Sequence, residues 1–188
     1  MSNFTTPDIN NDKVLEFCNF ISKNSKPILI EVTPAPNAEY HYCGKNVNKY
    51  IREHGGTLEY GWIIWKYYDF YLDAEAHTIW IDNGNRRDVT PHKESVDYIL
   101  YLPHDDYMLQ IEKQYNAYPP NFLYPYTDNS LIREYVSLVN QSKHNYFEIK
   151  GNNEVEVEEA IITVFTEKEL SRYIEVKRLL NQRWRGCF

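Results

Sequence analysis

No stretch of this 188-residue chain approaches the roughly 18 consecutive apolar residues that span a bilayer. A membrane-embedded helix is therefore not expected. The opening segment MSNFTTPDINND is polar and holds no hydrophobic signal core. Cysteine is scarce: Cys18, Cys43 and Cys187 are odd in number and contain no close pair. That excludes a disulfide framework and offers no zinc-type spacing. Basic charge is also short, with 20 Lys and Arg against 27 Asp and Glu and a net charge of −7. Without a basic stripe to neutralise phosphates, nucleic acid is not expected as a partner. Lys177, Arg178, Arg183 and Arg185 interleave with Leu179, Leu180 and Trp184, which reads as the polar face of a helix. These absences point to a protein of the reducing cytoplasm, with no membrane partner.

Against that background, 43% hydrophobic and 25% charged residues are ordinary values for a chain with a real core. A chain of this size buries roughly 70% of its unfolded surface and needs no covalent or metal staple. Seventeen tyrosines are many for this length. Their amphipathic rings suit half-buried positions and cleft rims.

Hydrophobic spacing predicts a helix over residues 11–24, with Val14, Leu15, Phe17, Cys18 and Ile21 recurring at helical spacing and Asn10 or Asn11 as its cap. Ile28 to Val32 form a short strand, and the Pro-bounded segment Thr33 to Tyr42 a loop. A second helix runs from Cys43 to the pair Gly55-Gly56, which stops it as left-handed residues do. Strands follow over Leu58 to Trp65, Phe70 to Leu72, His77 to Asp82, Arg86 to Thr90 and Val96 to Leu102, with Asn83-Gly84-Asn85 as a hairpin turn. Asp105 to Gln114 is a short helix, Ala117 to Asp128 a Pro/Tyr-rich loop, and Leu131 to Val139 an amphipathic helix. Val155 to Trp184 is largely helical, interrupted at the capping box Thr166-x-x-Glu169. The order gives an α+β fold with a central antiparallel sheet. Residues 1–128 form the core, and residues 129–188 form a helical part packed on it.

The chemistry concentrates between Cys43 and Pro91. Cys43 opens a helix, where unpaired N–H groups and the macrodipole favour a thiolate and could hold an oxyanion. His77 opens a strand that could present its imidazole to the thiol, and Asp88 lies on the partner strand. With Gly84-Asn85 as a two-residue turn, His77 and Asp88 are offset by four along the ladder, and a wider loop brings them closer. Asp88 is then placed to orient the ring and stabilise imidazolium, with Asp82 as the alternative third member.

Cys43-Gly44, Gly55-Gly56 through Trp65, His77-Thr78-Ile79-Trp80 and Asp88-Val89-Thr90-Pro91, in that order, resemble the core of the transglutaminase-like thiol enzymes and, more distantly, the papain-like ones. The segment is also similar to a class of uncharacterised bacterial proteins with a GW-IW…H-x-V/I-W…D-V/I-T-P pattern. The resemblance implies a Cys-His-Asp triad with Cys43 as nucleophile, His77 as base and Asp88 as orienter, carried by a nucleophile-bearing helix packed on the sheet. By likeness to papain-like enzymes, Asn37 is the candidate side-chain amide of the oxyanion hole.

Each residue has a plainer reading. Cys43 and His77 suit core packing, and Asp88 a hairpin cap or a partner for Arg86 or Arg87. Trp62, Trp65 and Trp80 fill a core or wall a cleft. Glu75 and His41 flank the site as possible polar contacts, and His92 and His104 read as loop residues. His41, Cys43, His77 and Asp88 are ligand types that zinc takes, but no tight pair spacing accompanies them, so neither a metal nor another cofactor is expected. The leading expectation is a cysteine-dependent hydrolase or acyltransferase acting on a peptide or small amide or ester. A non-catalytic binding module is the competing one, its C-terminal helices recruiting a protein partner.

Overall fold

The computed structural model describes residues 3–93, 95–115, 119–152, 165–185 and 187–188. Its elements are β1 (Phe4–Thr5), α1 (Asp12–Ile21), β2 (Ile28–Glu31), α2 (Cys43–His54), β3 (Thr57–Tyr67), β4 (Tyr71–Asp82), β5 (Asn85–Arg87), β6 (Tyr98–Pro103), α3 (Asp105–Tyr115), β7 (Phe122–Pro125), α4 (Ser130–Asn152) and α5 (Glu167–Arg183). The fold is α+β, built on a seven-stranded sheet in the order β2-β6-β3-β4-β5, with β1 added to β3 and β7 to β4. All these strand pairs are antiparallel. No helix among the described residues is long and apolar enough to cross a membrane.

Side-chain alternation gives the central hairpin β3–β4 two unlike faces. On one, Tyr60, Trp62, Ile64, Leu72 and Ala74 pack with Val14, Phe17 and Cys18 of α1, and Asn11 caps that helix by accepting from Lys13 and Val14 N–H. On the other, Ile63, Trp65 and Ile79 meet Ile30, Ile99 and Tyr101. A third cluster joins Tyr67, Tyr71 and Leu123 to Ile132 and Val136 of α4 and to Val176 and Leu180 of α5, with Trp184 and Phe188 against it. The predicted capping box of α5 is present in both directions between Thr166 and Glu169.

Several sequence expectations change. Tyr71 and Leu72 of the expected short strand and all of His77 to Asp82 belong to one twelve-residue strand, β4, with Phe70 in the turn before it; its intervening Asp73 and Glu75 interrupt the apolar pattern because they line a cavity rather than the core. The loop expected over Ala117 to Asp128 contains strand β7, which pairs Phe122–Pro125 with Tyr71–Ala74. Phe4 and Thr5 pair with Tyr67 and Lys66. The tight turn is Asn83-Gly84, with φ of 47° and 80°, so Asp82 pairs with Asn85. Both central residues are left-handed, which matches the twist of a two-residue hairpin. Helix α4 runs far beyond Val139. The first part of the helix expected from Val155 lies outside the described residues.

Candidate active site

Helix α2 begins without a side-chain cap: its N-cap residue is Tyr42, which makes no capping hydrogen bond. The first-turn N–H groups therefore remain available to a charge placed there. The other end is closed by Gly55, at φ 75° and ψ −162°, whose N–H donates to the Ile51 carbonyl. Asn46 fixes the entry to the helix. Its buried amide accepts from Glu39 N–H at 3.0 Å and donates to the Glu39 carbonyl at 2.7 Å and to Thr90 Oγ1 at 3.3 Å.

The outer edge of β4 receives this helix start. That edge pairs with β7 as far as Ala74 and with β5 from Trp80 onward. Between those partners, residues 75–79 have no strand on that side among the described residues. The Thr78 backbone hydrogen-bonds Cys43 there, joined by the backbone of Gly44.

His77 projects toward Cys43 and forms a hydrogen bond with it. Its opposite number on β3 is Gly61, and a glycine is needed at that point. A Cβ on Gly61 would stand 2.4 Å from the Leu102 carbonyl oxygen and 2.7 Å from the Tyr101 ring. Without it, the fully buried Tyr101 ring lies beside the strand and donates to the Glu59 carbonyl at 2.9 Å.

Asp88 is fully buried. It leaves β5 to meet β2, its backbone N–H donating to the Glu31 carbonyl and its carbonyl accepting from Thr33 N–H. Its Oδ1 accepts from the backbone N–H of Thr90 at 2.9 Å. Its Oδ2 accepts from His92 Nε2 at 2.6 Å and lies 3.1 Å from His77 Nε2. Because His92 takes the well-aligned hydrogen bond, the contact with His77 is chiefly electrostatic, and Nε2 of His77 has no aligned partner. Both imidazoles are enclosed, with 5% and 8% of their side chains accessible. Trp65 closes the far side, its ring edge-on to His92 at 5.4 Å.

The electrostatics follow from burial opposed by charge. For Cys43, burial pushes the thiol up, but hydrogen bonding and charge from His77, with the Thr78 and Gly44 backbones, outweigh it and hold the pKa below its ordinary value. For His77, burial disfavours the imidazolium, yet Asp88, reinforced by Cys43, raises it well above the usual imidazole range. For Asp88, burial is overcome chiefly by the charge of His77, with the hydrogen bond from His92 adding to it, and the carboxyl lies below its usual range. Cys18 shows the contrast: burial with no such partner pushes its thiol up to about 12.

Cys43 is partly exposed and lines a cavity of about 230 Å³ together with His77, Glu75, His41 and His92. The structure thus brings together Cys43, His77, Asp88 and Glu75, and selects Asp88 over Asp82, which pairs with Asn85 at the hairpin end. Three other candidates stand elsewhere. Asn37 is exposed on its loop at φ 61° and lies outside the cavity wall. Trp62 belongs to the α1 face and donates to His104 Nδ1 at 3.1 Å. Trp80 donates to the Gly55 carbonyl and packs edge-on against Tyr50.

His92 was legible only as a loop residue; the available signal was its spacing of four from Asp88 across Thr90-Pro91. His77, Asp88 and His92 also bring ligand atoms within 4.8 Å of one another. A tetrahedral ion with bonds of roughly 2.0–2.1 Å sets its ligand atoms about 3.3 Å apart. The 2.6 Å separation of His92 and Asp88 is that of a shared proton. Comparisons with known protein families, curated proteins and solved structures find no match to this chain.

Proposed function

We propose that this protein is a thiol-dependent acyl-transfer enzyme, hydrolase or transferase, acting on an amide or ester through Cys43, His77 and Asp88. The observation that carries this reading is a partly exposed cysteine at an uncapped helix start, hydrogen-bonded to an imidazole that is itself paired with a fully buried carboxylate. The sequence likeness to transglutaminase-like enzymes favours the same assignment.

In the proposed reaction the Cys43 thiolate attacks the carbonyl carbon, forming a C–S bond while the carbonyl electron pair moves to oxygen. Unfilled N–H groups of the first turn of α2, with that of Thr78, face the developing oxyanion. As the intermediate collapses, the imidazolium of His77 gives its proton to the departing amine or alcohol, leaving a thioester. Neutral His77 then removes a proton from water or an amine. That nucleophile displaces the thiolate and restores the ion pair. Asp88 stabilises the imidazolium throughout, with His92 and Thr90 N–H holding the carboxylate in place.

The competing reading, a binding module that retains a thiol-enzyme-like core, calls for no ionised thiol. Alkylation with iodoacetamide across roughly pH 5 to 9, read by mass spectrometry, separates the two. Cys187 serves as the comparison thiol in the same sample, and buried Cys18 should be protected. Catalysis requires Cys43 to react well below pH 7 and to lose that behaviour in His77→Ala. Reaction of Cys43 in step with Cys187 would sink it.

A further inference from the structure

The cavity holding Cys43 and His77 continues into a larger one of about 580 Å³, and the two share Tyr40, His41, Glu75 and His92. Glu75 stands at the junction. It lies two residues before His77 on the same face of β4, which sets their backbones about 7 Å apart. Trp65 Nε1 donates to Glu75 Oε2 at 2.8 Å. That neutral donor fixes the carboxylate without cancelling its charge. Among the described residues, no lysine, arginine or histidine forms an ion pair with Glu75. The larger cavity adds the ring of Phe4 to its wall beside Tyr40 and Trp65, and aromatic rings favour a cation further.

We propose that this second cavity is a subsite for a cationic group, ammonium or guanidinium, borne on the acyl portion of the substrate whose carbonyl Cys43 attacks. The carboxylate of Glu75 supplies the counter-charge. An acyl group ending in a carboxylate or phosphate meets repulsion at the same place. The inference rests on the acyl-transfer reading of Cys43 and adds its substrate class.

Three thiol reagents with one leaving group test it on the intact protein: trimethylammonioethyl, sulfonatoethyl and methyl methanethiosulfonate. In each, the thiolate attacks the sulfenyl sulfur, a disulfide forms and methanesulfinate departs. Rates at Cys43 are divided by those of the neutral methyl reagent in the same variant and compared with Cys187, which feels the same overall negative charge. The expected result is a cation-over-anion preference at Cys43 that exceeds that at Cys187 roughly tenfold. The excess should collapse in Glu75→Gln, which keeps an acceptor for Trp65. In the wild-type protein it should also shrink as salt shortens the screening length from about 30 Å to about 3 Å. A neutral reagent that labels Cys43 fast, with charge preference equal to that of Cys187 or untouched by Glu75→Gln and salt, overturns the subsite alone. A neutral reagent that labels Cys43 no faster than Cys187 removes the thiol-enzyme reading, and the subsite with it.

Discussion

Replacing Asp88 by Asn tests the electrostatic core of the site with little change of shape. Asparagine keeps one oxygen for the Thr90 N–H and puts an NH2 at the Oδ2 position, which the neutral His92 ring can meet with Nε2 as acceptor, so the loop geometry survives. What disappears is the charge 3.1 Å from His77 Nε2. Two unit charges at that distance interact by about 5 kcal/mol at an effective dielectric constant near 20. Both charges are delocalised, over two nitrogens and two oxygens, and that leaves about 2–3 kcal/mol for the imidazolium. The thiolate–imidazolium pair should lose this amount relative to the neutral thiol–imidazole pair, a factor of roughly 30 to 150. Cys43 ionises because His77 is charged, so weakening the imidazolium raises the thiol's pKa, and the onset of alkylation moves to higher pH. At pH 6 the iodoacetamide rate at Cys43 should fall at least tenfold in Asp88→Asn, while Cys187 in the same sample is unchanged. An Asp88→Asn profile that overlays wild type would show that Asp88 does not support the charge on His77, and the reasoning would fail.

The same pair has a signature in stability. His77 has a folded-state pKa above its unfolded value near 6.5, so its contribution is complete below that pH and is lost as pH rises through the folded value. Urea denaturation of His77→Ala should therefore show a stability deficit at pH 6 that narrows at alkaline pH, and a widening deficit would contradict the assignment. Asp88 works in the opposite direction: its depressed folded pKa gives stability present above about pH 4 and lost on acidification. Gly61→Ala places a methyl against the Leu102 carbonyl and the Tyr101 ring, and should cost about 3 kcal/mol or more in thermal or chemical unfolding. Gly84→Ala, where a Cβ meets nothing but φ is +80°, should cost only about 1–2 kcal/mol. Equal costs would show that the Gly61 contact relaxes freely.

Local signals were strong where one segment satisfies its own backbone. The helix from Cys43 to the glycine pair, a hairpin turn within Asn83-Gly84-Asn85 and the Thr166 capping box depend on neighbours in sequence, and spacing and residue type expose them, though not which two residues centre the turn. The linear order of Cys43, His77 and Asp88 was readable too. Edge strands were not: β1 and β7 are two and four residues long and owe their form to hydrogen bonds with β3 and β4. The middle of β4 hid its strand character because Asp73 and Glu75 face a cavity. Trp80 stands three residues after His77 on one strand and so takes the opposite face by alternation alone, whereas Trp62 fell outside the site because the register of β3 against β4 pairs it with Ala76. The meeting of His92 with Asp88, and the unpaired stretch of β4 that receives the start of α2, belong to tertiary structure alone. They depend on where the chain turns after β5 and on where β7 stops, positions set by packing across the sheet rather than by any residue's own preference.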